Sequence, residues 1–148
     1  MDVKAPLGSY ITPSFEHATA ADAMRPRVLT CSPETPLVTV AQRLAGEHVH
    51  ALVVMRPRGG NADERRAWGV LTDRDLLAHA RRVDELTAAD VASPAILEIR
   101  PEDSLADVAD RMLAAGTSHA IVEEPSTGRP VGVVSTLDIA GILAWGRA

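Results

Sequence analysis

The 148-residue chain has a single cysteine, Cys31, so it can form neither a disulfide within itself nor a thiolate metal cluster. That scarcity fits a reducing compartment, and a cytoplasmic location is expected. Aromatic residues make up only 3% of the sequence. A core therefore has to be built from Val, Leu, Ile, Ala and Met, with little left over to stack nucleic-acid bases. Basic charge is also short: 15 Lys and Arg stand against 20 Asp and Glu, for a net charge of −5. Binding to a phosphate backbone needs clustered cations. The pairs Arg65-Arg66 and Arg81-Arg82 are too short for that and read as solvated surface, so no nucleic-acid partner is expected. The N-terminal segment is interrupted by Asp2, Lys4, Pro6, Gly8, Ser9 and Pro13, and neither a signal peptide nor a membrane span is expected.

Motifs of catalysis are missing as well. The chain has no Gly-x-Ser-x-Gly elbow, no phosphate loop and no Gly-x-Gly-x-x-Gly fingerprint. Ser135, His119 and Asp138 could be assembled into a trio, but any chain of this size offers one. His48 and His50 have the spacing of a metal pair without a third ligand. Cys31 lies in an apolar run and reads as a small core residue. Neither a metal nor catalysis is expected.

What the sequence does contain is a duplication. Thr19-Ala20-Ala21-Asp22-Ala23-Met24 is matched by Thr87-Ala88-Ala89-Asp90-Val91-Ala92. The same spacing aligns Pro26 with Pro94, Pro33 with Pro101, Leu37 with Leu105, Leu44 with Met112, and Val53-Val54 with Ile121-Val122. The spacing then shortens by five residues, so that Gly69-Val70-Leu71-Thr72-Asp73-Arg74-Asp75-Leu76 pairs with Gly132-Val133-Val134-Ser135-Thr136-Leu137-Asp138-Ile139. The first copy thus carries a five-residue insertion. Arg56 to Ala67, with Pro57, Gly59, Gly60 and Asn61, has the composition of an exposed loop that would hold it. Residues 1–18 read as an arm, disordered or ordered only on a partner. Residues 19–83 and 84–148 are the two repeats.

Each repeat has the same internal order. Thr19 and Thr87 can cap a short helical turn. An apolar run follows, Val28 to Cys31 or Ile96 to Ile99, and is expected to be a strand. A helix comes next. In the first copy Thr35-Pro36 puts proline at the first helical position, and in the second Asp103-Ser104 opens the helix. Leu37, Val40, Ala41 and Leu44, and then Leu105, Val108, Ala109, Met112 and Leu113, have the spacing of one buried stripe. Gly116 is a stop signal for the second helix, whereas Gly46 comes too early to be one for the first. Ala51 to Met55 and Trp68 to Leu71, with Ala120 to Val122 and Val131 to Val134, are near-continuous apolar runs expected of strands covered on both faces. A last helix starts at each Thr/Ser-x-x-Asp, with Leu76, Leu77 and Ala80, or Ile139, Ile142 and Leu143, as its apolar positions. The order is β-α-β-β-α, twice. A unit of about 60 residues buries too little surface to be stable alone, so the two are expected to pack together about a pseudo-twofold axis. The remaining apolar face near Trp145 would be left for a dimer contact.

Tandem β-α-β-β-α units, each ending in Gly-hydrophobic-hydrophobic-Thr/Ser-x-x-Asp-hydrophobic, resemble a pair of cystathionine β-synthase (CBS) domains, a Bateman module. The resemblance covers nearly everything after the arm. It implies an α/β regulatory module, not an enzyme, that binds an adenine nucleotide or related adenosyl ligand in a cleft between repeats and forms a homodimer. AMP, ADP, ATP, NAD and S-adenosylmethionine are the ligands it suggests, with no cofactor required. By motif match, Thr72 and Asp75, and Ser135 and Asp138, take the ligand-binding roles. The chemistry is sound: a carboxylate at a helix start can accept from ribose hydroxyls, and a hydroxyl beside free helix amides can donate to a phosphate. Arg74 adds a phosphate contact, while Leu137 at the matching place cannot. Thr30 stands where the family often places a ligand-contacting Thr, and His50 could line the cleft. Glu98, the counterpart of Thr30, would repel a phosphate, which favours the cleft containing Thr30. In this family a cleft can draw its opening strand from one repeat and its Asp from the other, so that Thr30 would face Ser135 and Asp138, and Glu98 would face Thr72 and Asp75. The other reading is that these residues simply cap helices, worth about 0.3–2 kcal/mol. In that case the chain is a ligand-free module for dimerisation or for docking an unknown protein partner.

Overall fold

The computed structural model describes residues 12–58 and 61–147, and for 57, 58 and 61–65 the backbone alone. Two three-stranded sheets carry the fold. In the first, β1 (Thr30–Cys31) runs parallel to β2 (Ala51–Arg58), which pairs antiparallel with β3 (Asn61–Thr72). The second repeats this with β4 (Glu98–Ile99), β5 (His119–Glu123) and β6 (Pro130–Ser135). The crossovers are α2 (Leu37–Glu47) and α5 (Leu105–Ala115). The closing helices are α3 (Asp73–Ala78), followed by a 3-10 turn at Ala80–Arg82, and α6 (Thr136–Trp145). One-turn helices α1 (Ala20–Ala23) and α4 (Ala88–Val91) open the repeats. The β-α-β-β-α order read from the sequence is present twice.

Local chemistry explains most boundaries. Ser104 caps α5 by accepting from Asp107 N at 3.2 Å, and Gly116 ends it in the left-handed region at φ 65°. Pro36 is not the first helical residue as expected but the N-cap, with extended backbone (φ −57°, ψ 141°). The amide of Leu37, the next residue, donates outside the helix, to Leu86 O at 2.9 Å. At the other end α2 runs through Gly46, and His48 takes the left-handed turn at φ 54°. Gly46 is therefore an interior helical glycine with nothing within 4 Å of a Cβ built on it. Gly46→Ala is expected to stabilise the fold by about 0.5–1 kcal/mol, the ordinary cost of a glycine inside a helix. Chemical denaturation measures it.

The chain forms two compact units. One contains the described residues up to Arg27 together with those from Leu97 on, and the other is Val28–Ile96. Each opening helix therefore sits in the unit built on the other repeat's sheet. In the first unit Ala20 N donates to Asp103 O (2.8 Å), Ala21 N to Pro101 O (2.9 Å), and Leu105 N to Ala18 O (2.9 Å). In the second, Ala88 N donates to Thr35 O (2.8 Å) and Ala89 N to Pro33 O (2.9 Å). These bonds satisfy amides at helix starts, which have no partner within their own helix. Ala20 joins a core of Ile99, Leu105, Val108, Met112, Val122, Val134 and Ile142. Ala88 joins Leu37, Val40, Leu44, Leu52, Val54 and Leu71.

Glycine in the repeated octet serves this exchange. Val70 and Ser93 trade two backbone hydrogen bonds, Val70 N to Ser93 O (2.9 Å) and Ser93 N to Val70 O (3.0 Å). Arg25 and Val133 do the same at 2.9 and 3.1 Å. A Cβ on Gly69 would stand 2.9 Å from Ser93 O, and one on Gly132 would stand 3.0 Å from Arg25 O. Both contacts are with backbone, which cannot swing aside. Gly69→Ala is expected to destabilise by about 1–3 kcal/mol, the usual range for overpacking, opposite in sign to Gly46→Ala in the same denaturation assay.

Three expectations need correcting. Of the stretch Arg56 to Ala67, the described residues are strand and not loop. β2 runs on to Arg58 and β3 starts at Asn61, with Arg56 opposite Arg66 and Pro57 opposite Arg65. β1 pairs only as far as Val54, so Pro57 lies where β2 has a free edge and its missing N–H costs no ladder bond. Arg56 stacks its guanidinium 4.4 Å from the centroid of the Trp68 ring, a cation–π contact. Leu113, placed on the buried stripe by spacing, is 81% exposed. The arm is ordered where it is described: Arg147 N donates to Thr12 O at 2.8 Å, and Phe15 packs on the first unit's core. Residues 1–11 lie outside the described residues.

In the second repeat the corresponding hairpin is closed tightly. The Glu124 carboxylate accepts from Ser126 N (3.1 Å), Ser126 Oγ (2.5 Å), Thr127 N (3.0 Å) and Thr127 Oγ1 (2.9 Å). These donors, Ser126 first, lower its pKa to about 2. A depressed carboxylate contributes stability above its unfolded pKa and loses it as pH falls through the folded value. The contribution to the turn is thus expected to be full above about pH 4.5 and to be lost progressively as pH falls to about 2, and an NMR titration of the Glu124 carboxyl checks it.

Candidate functional site

The repeated octets form two corners where a strand turns into a helix, one in each unit. Thr72 ends β3 with extended backbone (φ −111°, ψ 166°) and caps α3. Its Oγ1 accepts from Asp75 N at 3.2 Å. Asp75 Oδ2 in turn accepts from Thr72 N at 2.8 Å and Thr72 Oγ1 at 3.1 Å. This reciprocal capping box locks the carboxylate over the first turn. Ser135 and Asp138 reproduce it at the start of α6: Asp138 N to Ser135 Oγ at 3.2 Å, Ser135 N to Asp138 Oδ2 at 2.8 Å, and Ser135 Oγ to Asp138 Oδ2 at 2.9 Å.

The hydroxyls expected to donate to a phosphate are engaged elsewhere. Each has a single proton, and the nearby carboxylate takes it. Among the described residues nothing donates to Asp75 Oδ1, so the two lone pairs of that oxygen are open. Asp138 Oδ1, by contrast, accepts from Arg25 Nε at 3.1 Å.

His50 joins the first corner. Its Nδ1 lies 2.7 Å from Asp73 Oδ2, and its carbonyl accepts from Asp73 N at 2.9 Å. Both side chains are exposed. Arg74 is exposed beside them, as Leu137 is at the matching place in the other unit. Thr30 is half-buried on β1, opposite Val53, which is itself opposite Val70. Its carbonyl accepts from the Arg43 guanidinium. Glu98, its counterpart, is exposed, and its carbonyl accepts from Arg111 Nη2 at 3.0 Å. Arg43 and Arg111 are repeat mates that reach back from the crossover helix to the opening strand. Their shared register was the signal that sequence reasoning passed over. Arg25 was passed over too, and no local pattern announced it.

The residues that tempt a catalytic reading are committed otherwise. Ser135 Oγ serves the cap, and His119 Nδ1 lies 2.9 Å from Ser118 Oγ. Burial pushes the Cys31 thiol up, against smaller lowering effects from Thr35 and Arg43. A raised thiol is a poor nucleophile at neutral pH. Among the described residues no group of three His, Cys, Asp or Glu could hold a metal ion, and no helix is long and apolar enough to cross a membrane.

Comparison with known proteins agrees with this arrangement. The sequence matches the CBS domain over residues 20–82 and again over 88–144. No curated protein matches it by sequence. Among solved structures, it is similar to the CBS domain pair of protein MJ0100 in complex with 5′-methylthioadenosine and S-adenosyl-L-methionine. The TM-score is 0.73 at 16% identity, covering 86% of this chain and 96% of that one. It is similar to CBSX2 in complex with AMP, a CBS-pair protein of Arabidopsis thaliana, with TM-score 0.67 at 22% identity over 83% of this chain and 93% of that one. It is also similar to a hexameric CBS-CP12 protein from bloom-forming cyanobacteria, with TM-score 0.71 at 18% identity over 82% and 69% of the two chains. At these identities the likeness is one of fold.

Proposed function

Because the chain belongs to the CBS-domain family, we propose that it is a regulatory protein, not an enzyme, that binds an adenosyl ligand and signals through a dimer or partner surface. The observation that carries this reading is the first corner. Asp75 is held rigidly by Thr72 through one oxygen while the other stays open. A carboxylate so fixed can accept from the vicinal hydroxyls of a ribose, as an acidic residue does in dinucleotide folds. The exposed Arg74, next to Asp75 in the chain, carries a guanidinium suited to a phosphate. Solved relatives hold AMP, 5′-methylthioadenosine and S-adenosylmethionine. What those molecules share is an adenine on a ribose ring with free 2′- and 3′-hydroxyls, and the ribose is the part an aspartate would read. AMP, ADP, ATP, NAD and S-adenosylmethionine are the candidates. Calorimetric titration of each into folded protein is expected to give heat with at least one. Silence from all five overturns the proposal.

A second reading has its own support. Leu77, Leu113, Leu137 and Leu143 are 77%, 81%, 63% and 63% exposed, which suits a module that works by self-association or docking. Light scattering is expected to show a homodimer. A monomer at every working concentration counts against the dimer in both readings.

A further inference from the structure

The two corners share their backbone and their capping boxes, but one ion pair separates them. Arg25 Nε donates to Asp138 Oδ1 at 3.1 Å, from a side chain 60% exposed to one only 8% exposed. Arg25 is delivered there by the fold. Its backbone is clamped to Val133 by two hydrogen bonds, two residues before Ser135, and Gly132 leaves the room for that approach. The equivalent place in the other unit belongs to Ser93, clamped in the same way to Val70. The Ser93 hydroxyl accepts from Ala95 N at 3.3 Å, and serine has no charge to offer Asp75. Asp75 therefore keeps an open oxygen, while Asp138 has Oδ2 held by Ser135 and Oδ1 held by Arg25.

We infer that Arg25 is a built-in competitor for the ribose-binding oxygen of Asp138 and makes that corner selective for anionic adenosyl ligands. The inference rests on the reading above, in which each aspartate accepts from a ribose. To reach Asp138 Oδ1, ribose hydroxyls must displace the guanidinium. A neutral nucleoside offers the released Arg25 nothing in return. A nucleotide brings a phosphate, which a guanidinium binds at least as well as it binds a carboxylate. Release is feasible because the guanidinium, 60% exposed, stands mostly in water and is solvated as it leaves. Arg25 is thus a specificity-determining residue: it lowers the affinity for uncharged ligands and spares charged ones. The first corner has no such filter, so the two corners are expected to rank adenosine and AMP differently.

The test isolates the second corner with Asp75→Ala and titrates adenosine and AMP calorimetrically, with Arg25 intact and as Arg25→Ala. Arg25→Gln, which puts a neutral N–H donor where Nε stands but removes the guanidinium and its charge, is measured alongside, with thermal melts to establish that each variant is folded. Adenosine is expected to bind at least about two- to fivefold tighter without the guanidinium, the range for fully exposed pairs being the lower bound for one with a buried carboxylate. AMP gains nothing or weakens, so the AMP preference collapses. Arg25→Gln should fall between the two. Adenosine affinity unchanged or reduced in both Arg25 variants overturns the inference and leaves the proposed function standing. So does ligand binding by the intact chain that vanishes in Asp75→Ala with and without Arg25. Absence of binding in the intact chain and in every variant overturns both.

Discussion

Leu105→Ala is expected to destabilise the protein by about 2–5 kcal/mol, the range for emptying a fully buried leucine site. Leu105 is 0% exposed and sits where several parts of its unit meet. Its amide donates to Ala18 O, and its side chain shares a core with Ala20, Ile99, Val134 and Ile142. The opening helix, the sheet and the closing helix would all border the cavity, and a core close-packed from rigid aliphatic side chains relaxes only partly around one. Leu37→Ala should behave alike, since Leu37 is equally buried and its amide is bonded to Leu86 O. Leu113→Ala, at a position that spacing alone puts on the same stripe, should change stability by no more than about 0.5 kcal/mol. Urea denaturation of the three variants reads this directly. A loss at Leu113 as large as at Leu105 would contradict the exposed placement.

The second large effect is on binding. Asp75→Ala should weaken the adenosyl ligand by about 1.5–3 kcal/mol, the worth of hydrogen bonds to a charged group, or roughly ten- to hundredfold in Kd. Removing the carboxylate also removes an acceptor for Thr72 N and Oγ1, so some stability goes with it, and binding must be measured well below the melting temperature. Thr72→Ala separates the roles. It deletes the cap that receives Asp75 N, which costs about 0.5–2 kcal/mol of stability, but keeps the carboxylate. If Thr72→Ala lowers affinity as much as Asp75→Ala, the aspartate is a cap and not the ribose acceptor.

Much of this was legible in the residue order because it is local. The Ser104 and Thr/Ser-x-x-Asp helix starts depend on side chains three residues from the amides they satisfy, and the Gly116 stop on the absence of a side chain at a left-handed position. Where the reading went wrong, contacts from distant parts of the chain had overruled local preference. Pro36 gave up the first helical position where the next amide, Leu37 N, bonds to Leu86 O. The described residues of the longer first copy are paired strand because β2 and β3 had ladder partners to extend, which composition does not register.

By itself, then, the sequence determined the repeat, the order of its elements, the aliphatic cores and the paired capping boxes. These follow from periodicity and short-range hydrogen bonding, which any segment carries with it. Only the tertiary structure decided that each opening helix belongs to the unit of the other repeat's sheet, that the octet glycines make room for it, and that the two aspartates are not equivalent. The last depends on Arg25 and Asp138, 113 residues apart in the chain. No local pattern encodes such a pair: Gly132 leaves room for the backbone at Arg25 to bond to Val133 of β6, which brings the guanidinium to Asp138.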